Sequence, residues 1–454
     1  MKIIIIGAGE VGFHIANRLA FENKDVVIID SDPAAVRRVS EALDVQIITG
    51  SGNSPVILQE AGVTEAEIVL AVTNSDEANL VACLMTHILS PTTKKFARIR
   101  HADYDAYHDT FREHAPHIDT IINPETEVVK TIERLMSVPG AVDVGEFAEG
   151  RIKLVGVYLD AAAKIAGVRL ADLASRIDNQ QVLIAAISRD EEMIIPGGDD
   201  RLKGGDLVYF ICEQEKLIET LAVFEKYDQP IKRALIVGGG RIGLRLARQL
   251  ETQSIYTKIS EKDPQRCKFL AENLNKAVVL SGDGSDPSLL SEENVGDIDV
   301  VVTLTSDEET NILASLLTRR MGARKAITKI SKFNYLPLMA TIGIEQVIST
   351  RLSAINSIMQ HIRKGKVLSD ISLKGEQAEV IEALALPTSD IVGKPLSQIN
   401  FPKGALLAGI IRKENIIIPS GKSVVEPDDR IIIFARREAI AKVEKILTVK
   451  LEFF

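Results

Sequence analysis

The stretch Gly7-Ala8-Gly9-Glu10-Val11-Gly12 recurs as Gly238-Gly239-Gly240-Arg241-Ile242-Gly243. Each copy follows a short apolar run, Lys2 to Ile6 or Lys232 to Val237, and opens a helical stretch. An acid follows each, Asp30 and Glu261, both 18 residues past the last glycine (12 to 30, 243 to 261). In such a strand–loop–helix unit the first glycine allows a tight turn and the second lets the backbone approach a pyrophosphate. The third permits close helix–strand packing. Phosphates then rest on the amides at the helix start, where the helix dipole favours negative charge. The acid ending the next strand can accept both ribose hydroxyls of an adenosine. One such loop is a weak signal; two in matched settings predict two dinucleotide-type sites.

The duplication runs on past the loops. Gly50-Ser51-Gly52-Asn53-Ser54-Pro55 returns as Gly282-Asp283-Gly284-Ser285-Asp286-Pro287, 232 residues later (50 to 282). Val72-Thr73-Asn74-Ser75-Asp76-Glu77-Ala78-Asn79 returns as Leu304-Thr305-Ser306-Asp307-Glu308-Glu309-Thr310-Asn311 at the same offset. Farther on, Ile165-Ala166-Gly167 matches Ile391-Val392-Gly393, and Ile194-Ile195-Pro196 matches Ile417-Ile418-Pro419. A period of that length marks a gene-scale duplication and no solenoid.

Within the first half, apolar strands at 26–29, 45–48, 68–72 and 96–99 alternate with helical stretches near 33–40, 55–61 and 77–89. Pro33 and Pro55 stand where helices start. Such alternation predicts a parallel, doubly wound sheet covered on both faces. A helical stretch follows, near 125–137 and again near 351–364, and then short strands separated by Gly197-Gly198 and Gly204-Gly205 turns. The fold class is therefore read as α/β. Two Rossmann-like doubly wound parallel-sheet domains, 1–124 and 232–350, are each followed by a connecting helix, 125–144 and 351–369. A small α+β lobe closes each half, 145–228 and 370–454.

With 454 residues, 46% of them hydrophobic, the chain can bury several cores. Net charge is −9 with no basic block, which disfavours nucleic acid and adhesion to an anionic membrane. The apolar run Ile3-Ile4-Ile5-Ile6 leads straight into the glycine loop, far short of the roughly 18 residues of a membrane span. No cleavage pattern of a signal peptide precedes it, and Cys83, Cys212 and Cys267 form no CxxC pair. These features predict a cytosolic protein without membrane insertion of its own.

Thr73-Asn74 and Thr305-Ser306 lie just past the fourth strand, where strand order should reverse and ligands sit. Their polar groups can bond phosphate or ribose, or simply form the turn. Arg98 and Lys329 end the fifth strands and can neutralise phosphate or lie on the surface. Asp30 would repel the extra phosphate of NADP, so NAD(H) or a plain adenine nucleotide is expected. Glu10 stands where the second copy has Arg241, so the two sites should differ in affinity or ligand. His101, His108, His114 and His117 suggest a metal site, but their spacing fits a polar surface helix better. The small lobes, 145–225 and 370–448, contain no histidine, and no acid/base pair for a dehydrogenase stands out.

Ile5-Ile6-Gly7-Ala8-Gly9-Glu10-Val11-Gly12, Val27-Ile28-Ile29-Asp30, Gly50-Ser51-Gly52-Asn53, Val72-Thr73-Asn74 and Ala97-Arg98-Ile99 carry a family likeness. With Val237 to Gly243 and Glu261, the chain resembles the regulatory subunits of Trk potassium-uptake systems. These are tandems of two domains that regulate K+ conductance (RCK domains), and the likeness covers nearly the whole chain. The resemblance implies a cytosolic homotetrameric ring, peripheral to the membrane, docked under a K+ channel or transporter of the TrkH or TrkG type. NAD(H), or ATP and ADP, would bind the large lobes and change the ring's shape. By the motif match Gly7, Ala8, Gly9, Glu10, Val11, Asp30, Thr73, Asn74 and Arg98 would line site one. Gly238, Gly239, Gly240, Arg241, Ile242 and Glu261 would line site two, with Thr305, Ser306 and Lys329. The rival reading is an NAD-dependent oxidoreductase with a duplicated Rossmann domain.

Overall fold

The computed structural model describes residues 1–447 other than 139, 177–181, 191, 228–229, 333–334, 363–366 and 374–376. Strands β1 (Lys2–Ile6), β2 (Asp25–Asp30), β3 (Gln46–Thr49), β4 (Ile68–Ala71), β5 (Lys94–Arg98) and β6 (Thr120–Ile122) form one sheet. Their order is β3-β2-β1-β4-β5-β6 and every neighbouring pair is parallel. β1, β2 and β4 are near-continuous isoleucine, valine and leucine runs buried on both faces, as a helix-covered parallel sheet demands. The chain builds outward from β1 through β2 to β3, then returns to lay β4 on the other side of β1. That reversal opens a crevice beyond the ends of β1 and β4.

The second half repeats the arrangement. Strands β12 (Arg233–Val237), β13 (Tyr256–Glu261), β14 (Val278–Ser281), β15 (Val300–Thr303), β16 (Lys325–Lys329) and β17 (Gln346–Ile348) stand in the order β14-β13-β12-β15-β16-β17. The sequence pattern had shown five strands per sheet. β6 and β17 are three residues each, too short for a periodicity to register, and they are held by parallel pairing to β5 and β16. Helix starts follow the local chemistry closely. Asp32, Asp263 and Asp286 each precede a proline and accept the amide two residues on, at 2.8–2.9 Å.

Each small lobe is an antiparallel sheet. The first holds β7 (Ala141–Phe147), β8 (Ile152–Tyr158), β9 (Leu183–Arg189), β10 (Glu192–Ile194) and β11 (Leu207–Glu213), in the order β10-β9-β11-β8-β7. The second holds β18 (Val367–Leu373), β19 (Ala378–Leu384), β20 (Ala405–Arg412), β21 (Asn415–Ile417) and β22 (Arg430–Arg436), in the order β18-β19-β22-β20-β21. The two sheets trace the same path. Sequence had missed β7 and β18, the next described elements in the chain after the connecting helices.

The chain divides into two compact units. One is Met1–Glu127 with the helix Thr350–Ile362, whose Ala354, Ile355, Ile358, Met359 and Ile362 are buried. The helix that follows the second parallel sheet thus packs within the unit of the first, against the helix Glu10–Phe21. The other unit holds the second parallel sheet, both small lobes and the helix Pro124–Ser137 from Val128 onward. There Val128, Val129, Ile132 and Leu135 share one core with Ile236, Leu246 and Phe210. A second core joins the small lobes, with Phe147, Leu154, Tyr209 and Ile211 facing Val380, Ile432 and Phe434. Its rim is charged: Arg430 donates to Glu382 at 2.7 Å and to Glu149 at 2.8 Å, and Glu382 also accepts the Ala148 amide.

Candidate nucleotide sites

The glycine loop joins β1 to the helix Glu10–Phe21. Gly7 has φ +107°, and a Cβ there would stand 3.0 Å from the Thr73 amide nitrogen. The loops after β1 and β4 therefore abut at the crevice. A Cβ on Gly12 would lie 1.9 Å from the Gly7 carbonyl oxygen. The protein's own packing thus explains these two glycines. It does not explain Gly9, whose added Cβ would meet nothing within 4 Å. Gly9 is the N-cap of its helix, and no side chain caps that first turn. By contrast Asp32 and Ser75 cap their helices with side-chain oxygens. An open helix start beside a residue kept small for no internal reason fits a bound phosphate.

Asp30 ends β2 and fixes one side of this opening. Its Oδ2 accepts the Ala8 amide at 2.6 Å, and its Oδ1 accepts the Asp32 amide at 2.8 Å. Each carboxylate oxygen keeps acceptor capacity for a ribose hydroxyl. Arg38, from the helix Pro33–Ala42, donates to the Ala8 carbonyl and to Glu10, both at 2.7 Å. Val11, next in the helix, is buried.

The second site is built the same way with different parts. Gly238 has φ +108°, an added Cβ on Gly243 would lie 2.1 Å from the Gly238 oxygen, and one on Gly240 would meet nothing. Glu261 does what Asp30 does: Oε2 accepts the Gly239 amide at 2.8 Å, and Oε1 accepts the Lys262 and Asp263 amides at 2.8 and 3.0 Å. Arg266 donates to the Gly239 carbonyl at 2.7 Å, taking the part of Arg38. Ile242 is buried like Val11, whereas Arg241 is exposed.

Across the crevice the structure separates turn formers from ligand candidates. The Thr73 hydroxyl contacts the Asn79 carboxamide oxygen at 2.7 Å and the Ser75 carbonyl at 3.1 Å, and it accepts the Ser75 amide. Thr305 repeats this with Asn311 and Asp307 at 2.8 Å. This geometry favours the turn-forming reading of both threonines over that of a ligand donor. Asn79 and Asn311, buried and outside the residues picked from sequence, are the organisers. Asn79 reaches the Arg98 carbonyl at 2.7 Å, and Asn311 reaches that of Lys329 at 3.1 Å, tying the β4 and β15 loops to the next strands. Lys329 also donates from Nζ to the Thr305 carbonyl at 2.8 Å, which brings its charge to the mouth of site two. Asn74 and Ser306 are exposed at the rim, and Arg98 is half-buried at the end of β5. Asp76 and Glu308, both buried, accept amides of the following loops, Arg100 and His101 in one and Ser331 and Lys332 in the other.

The four histidines do not converge. His101 accepts the Asp103 amide at its helix start, and His117 lies against His87 with ring centroids 4.4 Å apart. Among the described residues no group of histidine, cysteine and carboxylate side chains is placed to hold a metal. Among them, too, no helix is long and apolar enough to cross a membrane.

Residues 3–124 and 234–350 match the TrkA-N domain family, and residues 154–225 and 380–448 match the TrkA-C domain family. A Trk system potassium uptake protein TrkA from Azorhizobium caulinodans is 36% identical, and one from Halomonas elongata 37%, each over 100% of both chains. Among solved structures the GsuK RCK domain aligns with 98% of this chain and 94% of its own at TM-score 0.59 and 16% identity. The GsuK channel bound to NAD aligns with 98% of this chain and 78% of its own at TM-score 0.58 and 16% identity. Those structures share the fold of tandem Rossmann-like and small α+β lobes. Matched from end to end by such relatives, and twice over by both domain families, the chain belongs to the TrkA family of Trk potassium-uptake proteins.

Proposed function

We propose that this chain is the cytosolic, nucleotide-binding regulatory subunit of a Trk-type potassium uptake system and carries out no chemistry of its own. The observation that carries the reading is the doubled cradle: Gly9 and Gly240 leave open space at uncapped helix starts, with Asp30 and Glu261 locked beside them. Relatives named for potassium uptake support regulation over the oxidoreductase alternative. NAD bound to the similarly folded GsuK channel supports a dinucleotide ligand.

In this reading the diphosphate of NAD(H), ATP or ADP rests on the amides from Gly9 to Val11, or from Gly240 to Ile242. Asp30 or Glu261 takes the ribose hydroxyls and repels the additional phosphate of NADP. Thr73 and Thr305 shape the floor of each crevice, while Asn74, Arg98, Ser306 and Lys329 border it. Four such chains form a ring under a membrane channel or transporter of the TrkH or TrkG type. Nucleotide shifts that ring only as far as it binds one shape better than another. A coupling of about 1–3 kcal/mol changes the open fraction several-fold.

Rb+ flux into proteoliposomes holding the cognate channel and this chain tests the reading. Flux should change when ATP, ADP, NAD+ or NADH is added, and the response should vanish without the chain. Flux indifferent to every nucleotide would overturn it.

A further inference from the structure

Glu10 is the first residue of its helix, at the lip of the site-one cradle. Its Oε1 accepts Arg38 Nη1 at 2.7 Å and its Oε2 accepts Arg351 Nη1 at 3.2 Å. Arg38 comes from the same lobe. Arg351 is the second residue of the helix Thr350–Ile362, which follows the other parallel sheet in sequence yet packs on the helix Glu10–Phe21. The side chains are 40% (Glu10), 43% (Arg38) and 32% (Arg351) exposed, so the bridges stabilise the fold little. Two guanidinium groups thus hold one carboxylate at a helix N-terminus, where the dipole also favours an anion. Site two differs at this position, where Arg241 stands in place of Glu10.

We propose that Glu10 is an internal stand-in for the ligand's phosphate, and that a nucleotide entering site one takes over Arg38 and Arg351 from it. Arg351 is then a positioning residue for the nucleotide, supplied by the second half of the chain. Occupancy of site one is reported through the helix Thr350–Ile362, which leads on to the second small lobe. The inference rests on the nucleotide reading of site one. It adds the competitor, the second cation and the element that responds. The chemistry required of the ligand is a phosphate anion, since a guanidinium pair released by one carboxylate matches another oxyanion.

The test uses the full chain carrying Gly240→Asp, at a position where an added Cβ would meet nothing within 4 Å, to block site two. ATP and NADH are titrated by calorimetry at low salt, and amide hydrogen exchange of residues 350–362 is followed with and without nucleotide. Glu10→Gln should tighten binding about threefold or more, because the competitor loses its charge while keeping its shape. Arg351→Gln should weaken it about tenfold, with Arg351→Lys in between and thermal midpoints unchanged. Nucleotide should alter exchange in 350–362 in the parent and not in Arg351→Gln. Parent-like affinity in both Glu10→Gln and Arg351→Gln, or exchange in 350–362 indifferent to bound nucleotide, overturns the inference alone. A parent that binds neither ligand overturns the nucleotide reading of site one beneath it.

Discussion

An added methyl at Gly12 would meet the Gly7 carbonyl oxygen at 1.9 Å, whereas at Gly9 it would meet nothing. The same loop therefore holds a glycine required by packing and one that packing does not require, and substitution separates them. Gly12→Ala should lower stability by about 3 kcal/mol, read from urea unfolding, because the backbone itself must shift. Gly9→Asp should leave the urea midpoint unchanged and remove nucleotide binding at site one. Asn79 makes a different case. Its buried carboxamide serves the Thr73 amide and hydroxyl and the Arg98 carbonyl, so Asn79→Ala should cost about 2–3 kcal/mol. The glycines and both acids were legible in sequence because their chemistry fixes their spacing. Asn79 and Asn311 were inside the repeated segment yet passed over, since an asparagine that organises a turn looks like one that merely sits in it. Arg38, Arg266 and Arg351 carried no local signal, because their partners are 27 or more residues away.

Among the elements, helix ends are tied by charge as well as by caps. Glu251, near the end of the helix Arg241–Thr252, accepts the amides of Asn275, Lys276 and Ala277 at 2.9, 2.6 and 2.7 Å. Burial opposes its ionisation, but those amides and the Lys276 charge outweigh it, and the carboxyl titrates below its usual range. A carboxyl depressed in the folded state adds stability above its unfolded value, near 4.5, and that stability is lost as pH falls through the lower folded value. Glu251→Gln should therefore lower the urea midpoint at neutral pH and lose less than the parent below pH ~4. Parallel pH curves would contradict this. In the small lobes Tyr209 is fully buried, donates to Asp143 at 2.7 Å and lies in the core facing Phe434, so Tyr209→Ala should cost about 3–5 kcal/mol in urea. Elements of six residues or more were largely visible as apolar runs and proline starts. β6, β17, β7 and β18 were not, since three-residue strands lack a period and β7 and β18 overlap the stretches, 125–144 and 351–369, read as connecting helices.

For the whole molecule, duplication gives two similarly built cradles, while folding does not keep each half to itself. The helix Thr350–Ile362 belongs with the first parallel sheet, and Val128 onward belongs with the second. No pattern of hydrophobic residues could announce this. An amphipathic helix specifies that it must be covered and leaves open by which sheet. Each parallel sheet is thus grouped with a helix, or most of one, that follows the other sheet in sequence. Everything then turns on whether both cradles take an adenine nucleotide. Calorimetric titration of the full chain with NADH and with ATP, repeated on Gly9→Asp, Gly240→Asp and the double variant, measures this directly. The account predicts two sites per chain, one lost in each single variant and both lost in the double, with all four proteins equally folded. Undiminished binding in the double variant, or none in the parent, would contradict it.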